Sequence, residues 1–344
     1  MSYMAAAPNI QQLEDLLSEP TPAVMAALAK LKGDIIVLGV AGKMGPSLAR
    51  MIKRGSDSPG VKRRVIGVAR FTAKEIESQL RSGGIETFQC DLLDEAAVEK
   101  LPEAPNVLYL AGMKFGATRQ GALTWAMNSY LPAVVSKKYF RSRIVALSTG
   151  NVYGLGAVKD GGSPEFTPPA PMGEYAMSCL GRERIFEHFS RQQNTPMALI
   201  RLNYACDLRY GVLVDLAQRV WSGEAIDLTM RHFNTIWQGD ANAMILQAFG
   251  HVTSPPLVLN VTGLETLSVR EVCERFGKIM GRGPKFKGTE APTALLSDAR
   301  LAAKMFGPPR VTAELLVEWV ADWIMRGGAS LGKPTQFESR EGRF

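Results

Sequence analysis

Short apolar runs alternate along residues 34–150 with longer stretches in which apolar positions recur every three or four residues. The runs 34–39, 64–69, 85–90, 106–111 and 143–148 predict buried strands, and the stretches 44–54, 73–82, 94–101 and 121–140 predict amphipathic helices. Strand and helix in strict alternation specify a doubly wound α/β fold, a parallel sheet covered on both faces. Further along, Glu174–Gln192, Val212–Ser222, Val269–Met280 and Thr312–Met325 predict helices. Met197–Leu202 and Val258–Val261 predict strands, and Thr235–Phe249 a strand turning into a helix.

Four regions follow: a helical appendix over 1–33, a doubly wound core over 34–203, a smaller mixed α/β lobe over 204–326 that sends a strand and a helix back to the core, and a tail over 327–344. In the appendix Ile10, Leu13, Leu16 and Leu17 make one apolar face. After Pro20 and Pro22, Val24, Met25, Leu28 and Leu31 make a second. These faces predict packing on the core or on a second subunit. The polar, glycine-containing tail predicts a mobile or partner-bound segment.

The first strand ends in Gly39-Val40-Ala41-Gly42-Lys43-Met44-Gly45. Where a buried parallel strand passes sharply into a helix, one glycine permits the turn and a second lets backbone approach a pyrophosphate. A third lets helix pack closely on strand, while the helix N-terminus offers N–H groups and partial positive charge to phosphate. Gly39, Gly42 and Gly45 suit these roles, with Lys43 and Met44 between them, and Leu48, Met51 and Ile52 continue the helix. At the end of the second strand stands Ala69-Arg70, with no acid to bind a ribose 2′-hydroxyl. Arginine pairs with a 2′-phosphate or stacks on adenine, so NADP is expected ahead of NAD.

Composition narrows the class. Hydrophobic residues at 46% and charged residues at 21% suit a soluble globular enzyme, and no apolar run is long enough to span a bilayer. The N-terminus lacks a basic-then-apolar signal, so a cytoplasmic protein is expected. Cys90, Cys179, Cys206 and Cys273 are far apart, as are His188, His232 and His251, which predicts free thiols and no metal site. The net charge of +7 is dispersed and no basic–aromatic module is visible, which argues against nucleic acid as a partner.

After the fifth strand the chain reads Ser148-Thr149-Gly150-Asn151-Val152-Tyr153-Gly154, and later Glu174-Tyr175-Ala176-Met177-Ser178-Cys179. A hydroxyl at a strand's C-terminal end lies in the crevice where open α/β sheets bind ligands, and a tyrosine opening the next helix can reach it. These segments, the glycine turn with its GxxGxxG spacing, Cys90-Asp91-Leu92, Leu110-Ala111-Gly112, Asn128, Arg201-Leu202-Asn203, Gly239-Asp240-Ala241 and Leu259-Asn260-Val261 fall in one order. Over about residues 34–325 that order resembles the extended short-chain dehydrogenase/reductases of the NAD-dependent epimerase/dehydratase superfamily.

The resemblance implies that Thr149 holds the substrate's reacting oxygen and that Tyr175 transfers its proton beside the nicotinamide. It implies that Asp91 and Leu92 lie at the adenine end, that Ala111 and Gly112 border the nicotinamide ribose, and that Asn128 braces the sheet. Two departures matter. The family's lysine four residues after the tyrosine is Cys179 here, and a tyrosine at its ordinary pKa of ~10 is only about one part in a thousand ionised at pH 7. Arg182 or Lys114 could supply the missing charge, Tyr175 could act as a neutral donor, or the protein could bind a dinucleotide without turnover. The acidic pair of sugar 4,6-dehydratases is also replaced, by Gly150-Asn151, so that elimination is not expected. The reading is an NAD(P)-dependent epimerase or oxidoreductase, a homodimer, acting on a nucleotide-sugar-like or hydroxylated small molecule; the alternative is a dinucleotide sensor or scaffold. Arg209, Tyr210, Arg231 and Trp237 are candidate substrate contacts, and the proline-rich loop 164–173 a candidate wall of the cleft.

Overall fold

In the computed structural model, which describes residues 6–114 and 116–342, seven strands form one parallel sheet. They are β1 (Ile35–Leu38), β2 (Val65–Ala69), β3 (Glu86–Gln89), β4 (Asn106–Tyr109), β5 (Arg143–Thr149), β6 (Met197–Leu202) and β7 (Leu257–Val261). Their spatial order is β7-β6-β5-β4-β1-β2-β3. Register is continuous across the centre: Val37 pairs with Gly67 on one side and Leu108 on the other, and Leu108 pairs with Val145. The order reverses between β1 and β4, which opens a crevice beyond their carboxyl ends, the place where doubly wound sheets bind ligands.

Both faces are covered, which is why β1 and β2 are apolar throughout and β4 is polar only at Asn106, whose buried amide donates to the Lys32 and Asp34 carbonyls. One face packs α2 (Pro22–Lys30), α3 (Gly45–Asp57) and α10 (Gln238–Gln247) around Val37, Val65, Leu108 and Val145. The other packs Leu131, Val134, Val135 and Phe186 against Ile36, Ile66, Val107 and Ile144. Phe186 belongs to α8 (Gly173–Gln193), a 21-residue helix.

The residues after β6 build a second core from α9 (Val212–Ser222), α11 (Val269–Met280) and α13 (Ala313–Met325). The appendix packs on this same chain: Leu13 and Leu17 of α1 (Ile10–Leu17) enter the second core, and Val24 and Leu28 the first. The tail expected to be mobile or partner-bound instead packs on this same chain. Thr335 and Phe337 are each 1% exposed, Phe337 meets Phe233, Arg219 pairs with Glu338, and Arg340 donates to Thr293. One aromatic ring and a few side chains able to hydrogen-bond suffice to seat a polar segment on a ready-made surface. No described helix is long and apolar enough to cross a membrane.

Candidate active site

Two adjoining cavities occupy the crevice. The first, about 240 Å³, is lined by Gly39, Gly42, Arg70, Asp91, Leu92, Ala111 and Gly112 among others, so the sequence motifs after β1, β2, β3 and β4 converge there. Gly39 adopts φ +87°, and a Cβ on it would stand 2.8 Å from the Ala111 nitrogen. A Cβ on Gly45 would stand 2.1 Å from the Val40 carbonyl oxygen, so α3 closes on the turn only because that position is glycine. No side chain caps α3 at Met44; the Gly45 amide donates to the Gly42 carbonyl at 3.1 Å and Pro46 has no N–H, so the helix start offers a ligand its dipole more than its first amides. Phe71, also in this cavity, holds a left-handed φ of 46°, a strained backbone for a bulky residue. A glycine cradle with an uncapped helix start at the switch point fits a dinucleotide.

The second cavity, about 140 Å³, contains Thr149, Tyr175, Lys43, Lys114, Tyr204, Tyr210 and Thr335 in its wall. The Thr149 hydroxyl at the end of β5 accepts from the Asn151 amide at 3.2 Å and from Asn151 Nδ2 at 2.9 Å. Tyr175, in the first turn of α8, is hydrogen-bonded to Thr149 and to Cys179. Burial drives its phenol well above the ordinary value, with Cys179 adding to the rise; Arg182 and the Thr149 bond oppose it. Cys179 packs against Val152 and Tyr153, fully buried, and burial pushes its thiol up as well. It is a small apolar filler rather than a poised nucleophile.

Positive charge approaches by other routes. Arg182 Nη2 donates to Asn128 Oδ1 at 2.6 Å and Nη1 to the Leu147 carbonyl at 2.8 Å. A Cβ at Gly112 would lie 2.2 Å from Arg182 Nη2, so the guanidinium fits beneath the strand end because glycine stands there. Lys114 Nζ lies 5.9 Å from the Tyr175 ring centre, and burial lowers its pKa to about 8. Asn128 sits in a π-helical turn, Ala126–Tyr130, between α6 (Gly121–Trp125) and α7 (Leu131–Lys138). It accepts from the Met113 amide at 2.8 Å and donates to Met113 O and Ser178 Oγ, each at 2.9 Å. It thus ties the segment after β4 to the helix bearing Tyr175. π turns of this kind recur at functional sites.

A buried network supports the floor. Glu183 accepts from Ser148 and, at 2.7 Å, from Arg201 Nη2; Arg201 Nη1 donates to the Tyr153 hydroxyl at 2.8 Å, which donates to Asn260 Oδ1 at 2.8 Å. Sequence reading assigned Glu183 no role. Its signal was Arg201 inside an otherwise apolar strand, which demands a buried partner.

Other candidates fall elsewhere. Lys43 and Met44 line the second cavity, not the first, while Gly45 stands where α3 packs closely on the turn, the role expected of the third glycine. Tyr210 does line the second cavity. Trp237 is a core residue set edge-on to Trp319 with ring centres 5.5 Å apart. Arg209 is held by Asp207 and Glu14, and Arg231 lies 3.7 Å from Glu290. The loop 164–173 supplies no residue to either cavity wall; Gly173 abuts Gly342 of the tail instead.

Residues 35–206 match the family model described as the NAD dependent epimerase/dehydratase family. Several solved structures share the fold. UDP-glucose 4-epimerase from Thermotoga maritima is 20% identical with a TM-score of 0.70, over 86% of this chain and 99% of its own. UDP-glucuronic acid 4-epimerase from Bacillus cereus, solved with NAD, is 17% identical with a TM-score of 0.69, over 85% and 99%. A dTDP-glucose 4,6-dehydratase variant from Streptomyces venezuelae, solved with NAD, is 16% identical with a TM-score of 0.71, over 85% and 98%. No curated relative matches the chain by sequence.

Proposed function

Because the chain belongs to the NAD dependent epimerase/dehydratase family, we propose that it is an NAD(P)-dependent epimerase or oxidoreductase acting on a hydroxylated small molecule. The observation that carries this reading is the hydrogen-bonded pair Tyr175 and Thr149, set in a cavity that adjoins the glycine cradle.

The residues divide the work. The turn at Gly39 and Gly42 and the start of α3 take the pyrophosphate, Asp91 and Leu92 border the adenine end, and Ala111 and Gly112 the nicotinamide ribose. A bound nicotinamide dinucleotide supplies the hydride donor and acceptor. Thr149 holds the reacting oxygen. Tyr175, kept a neutral phenol by burial, donates its proton to a carbonyl oxygen as that carbon is reduced, and recovers it in the reverse direction. Arg182 and Lys114 favour the deprotonated phenol in the oxidising half, the part a lysine at 179 plays in relatives. Epimerisation uses both halves, and simple redox uses one. No carboxylate follows Thr149, so a 4,6-dehydration lacks its acid and base.

Exposed Arg70 at the rim of the first cavity, with no acid at the end of β2, supports a preference for NADP. Fluorescence titration should show NADPH binding more tightly than NADH; the reverse order overturns the preference. Tyr175→Phe should lower turnover by about a hundredfold or more while NADPH affinity stays within about twofold. Undiminished turnover in that variant would remove Tyr175 from the mechanism. A second reading, a dinucleotide sensor, is supported by Cys179, and is recognised by wild-type cofactor binding without turnover on any carbonyl or alcohol panel.

A further inference from the structure

Thr149, buried at the end of β5, has two donors aimed at one oxygen. The backbone amide of Asn151 reaches its Oγ1 at 3.2 Å, and Asn151 Nδ2 reaches the same atom at 2.9 Å. A hydroxyl carries two lone pairs and one proton, so both acceptor positions are filled and only the proton is left to give. Thr149 and Asn151 share a cavity wall with Tyr175, the hydrogen-bonded neighbour of Thr149.

Local packing holds this arrangement in place. Gly150 is buried, and a Cβ on it would stand 2.8 Å from Ser297 Oγ and 3.1 Å from Asn203 Cβ and Cγ, so a larger residue would have to push both aside. The chain passes between them into the short 3-10 turn Gly150–Tyr153, which brings Asn151 back over Thr149. A bare cap would need less. The backbone amide alone satisfies the turn, and the second bond, from Nδ2, adds nothing to capping. What it adds is polarity: a hydroxyl with a free lone pair can turn between giving and taking a proton, and one with both filled cannot.

We propose that Asn151 is a positioning residue that fixes Thr149 as a hydrogen-bond donor to the substrate's reacting oxygen, so that the proton exchanged in the reaction passes through Tyr175 and not through Thr149. This rests on the oxidoreductase reading for the reacting oxygen; the polarity of the Thr149 hydroxyl stands on the two hydrogen bonds alone. In reduction the carbonyl oxygen gains the electron pair of its former π bond and takes the Tyr175 proton, while Thr149 keeps its own proton and only donates a hydrogen bond. In oxidation the alcohol's proton goes to the Tyr175 phenolate, because Thr149 has no lone pair left to receive it. The donor is in place before charge develops on the oxygen, which is how a preformed hydrogen bond lowers a barrier. Gly150 and Asn151, standing where a 4,6-dehydratase has its acids, thus have a task of their own in this chain.

Neutron diffraction from deuterium-exchanged crystals of the full chain tests the polarity without any substrate. The Thr149 deuteron should lie on the side of Tyr175, with the amide and Nδ2 deuterons of Asn151 facing Thr149 Oγ1; a Thr149 deuteron directed at Asn151 Oδ1 overturns the proposal. Kinetics with NADPH, on whichever member of an aldehyde and ketone panel the wild-type chain reduces, test the role. Asn151→Asp sets an acceptor beside Thr149 and should lower kcat about a hundredfold, the usual loss when a transition-state donor is misdirected, with KM within about threefold. Thr149→Val should lower kcat similarly, and the double variant should fall no further than either alone, because Asn151 acts through Thr149. Thermal melting checks that all three variants are folded. Losses that multiply in the double variant, or a kcat for Asn151→Asp within about twofold of wild type, overturn the proposal. A wild-type chain that reduces nothing on the panel defeats the oxidoreductase reading and the role of Asn151 with it, while the position of the deuteron still decides the polarity.

Discussion

At the scale of single residues, the chemistry turns on position 179. A phenol lifted by burial is a ready proton donor and a reluctant acceptor, so in the proposed reaction carbonyl reduction should be favoured at neutral pH and alcohol oxidation should gain as pH rises. Cys179 deepens this bias, while Arg182 and the Thr149 hydrogen bond counter it. An ammonium one helical turn from Tyr175 would favour the phenolate directly. Cys179→Lys should therefore shift the alkaline rise of alcohol oxidation to lower pH and increase its neutral-pH rate by roughly tenfold for each unit by which the phenol's pKa falls. Cys179→Met, of similar length without charge, is the control. Rate profiles followed by cofactor absorbance check this, and coincident profiles for the two variants would show that the phenol does not limit oxidation. Cys179 is wholly buried against Val152 and Tyr153, so both variants should lose stability through overpacking, typically by about 1–3 kcal/mol.

At the scale of elements, the docked tail matters most to the cleft. Thr335 binds Asp215 through amide and hydroxyl and contributes to the second cavity, while Phe337 anchors the segment in the second core. Phe337→Ala should cost about 3–5 kcal/mol, the range for emptying a buried aromatic site. Denaturant unfolding measures it, and a loss below about 1 kcal/mol would show that the tail is not part of the cooperative unit. The tail was illegible in sequence because one aromatic among polar residues has no period, and its partner Asp215 lies 120 positions away. The sheet and long helices were legible for the opposite reason: their burial repeats locally, so Val212–Ser222 and Val269–Met280 have the bounds their apolar spacing implies. The seven-residue helix Arg300–Phe306 is too short to show such a period, and the π turn at Asn128 leaves no compositional mark. In the site, the glycine turn, Thr149 and Tyr175 were readable from local motifs. The direction of Lys43 and the pairing of Glu183 with Arg201 depend on contacts between distant segments and were not.

At the scale of the whole molecule, the helices that carry Asn128 and Tyr175 also present an apolar outer surface. Leu123 of α6, Trp125 at its end, Tyr130 of the π turn and Met177 of α8 are 42%, 39%, 48% and 47% exposed on elements that pack side by side. Such a surface, flanking the helices that hold the site, supports the homodimer expected from the sequence, with each partner covering the other's apolar face. Sedimentation at micromolar concentration should give twice the chain mass of 37.5 kDa, and Leu123→Glu with Met177→Glu should return the protein to that single-chain mass. Because α8 positions Tyr175 and receives the Asn128 bond at Ser178, losing the partner should loosen the clamp as well as separate the subunits. The separated variant should then lose turnover out of proportion to any loss of NADPH binding, whose proposed cradle lies at the turn between β1 and α3. A wild-type chain that sediments as a monomer would refute the dimer, and a monomeric variant with full turnover would show that the clamp holds without it.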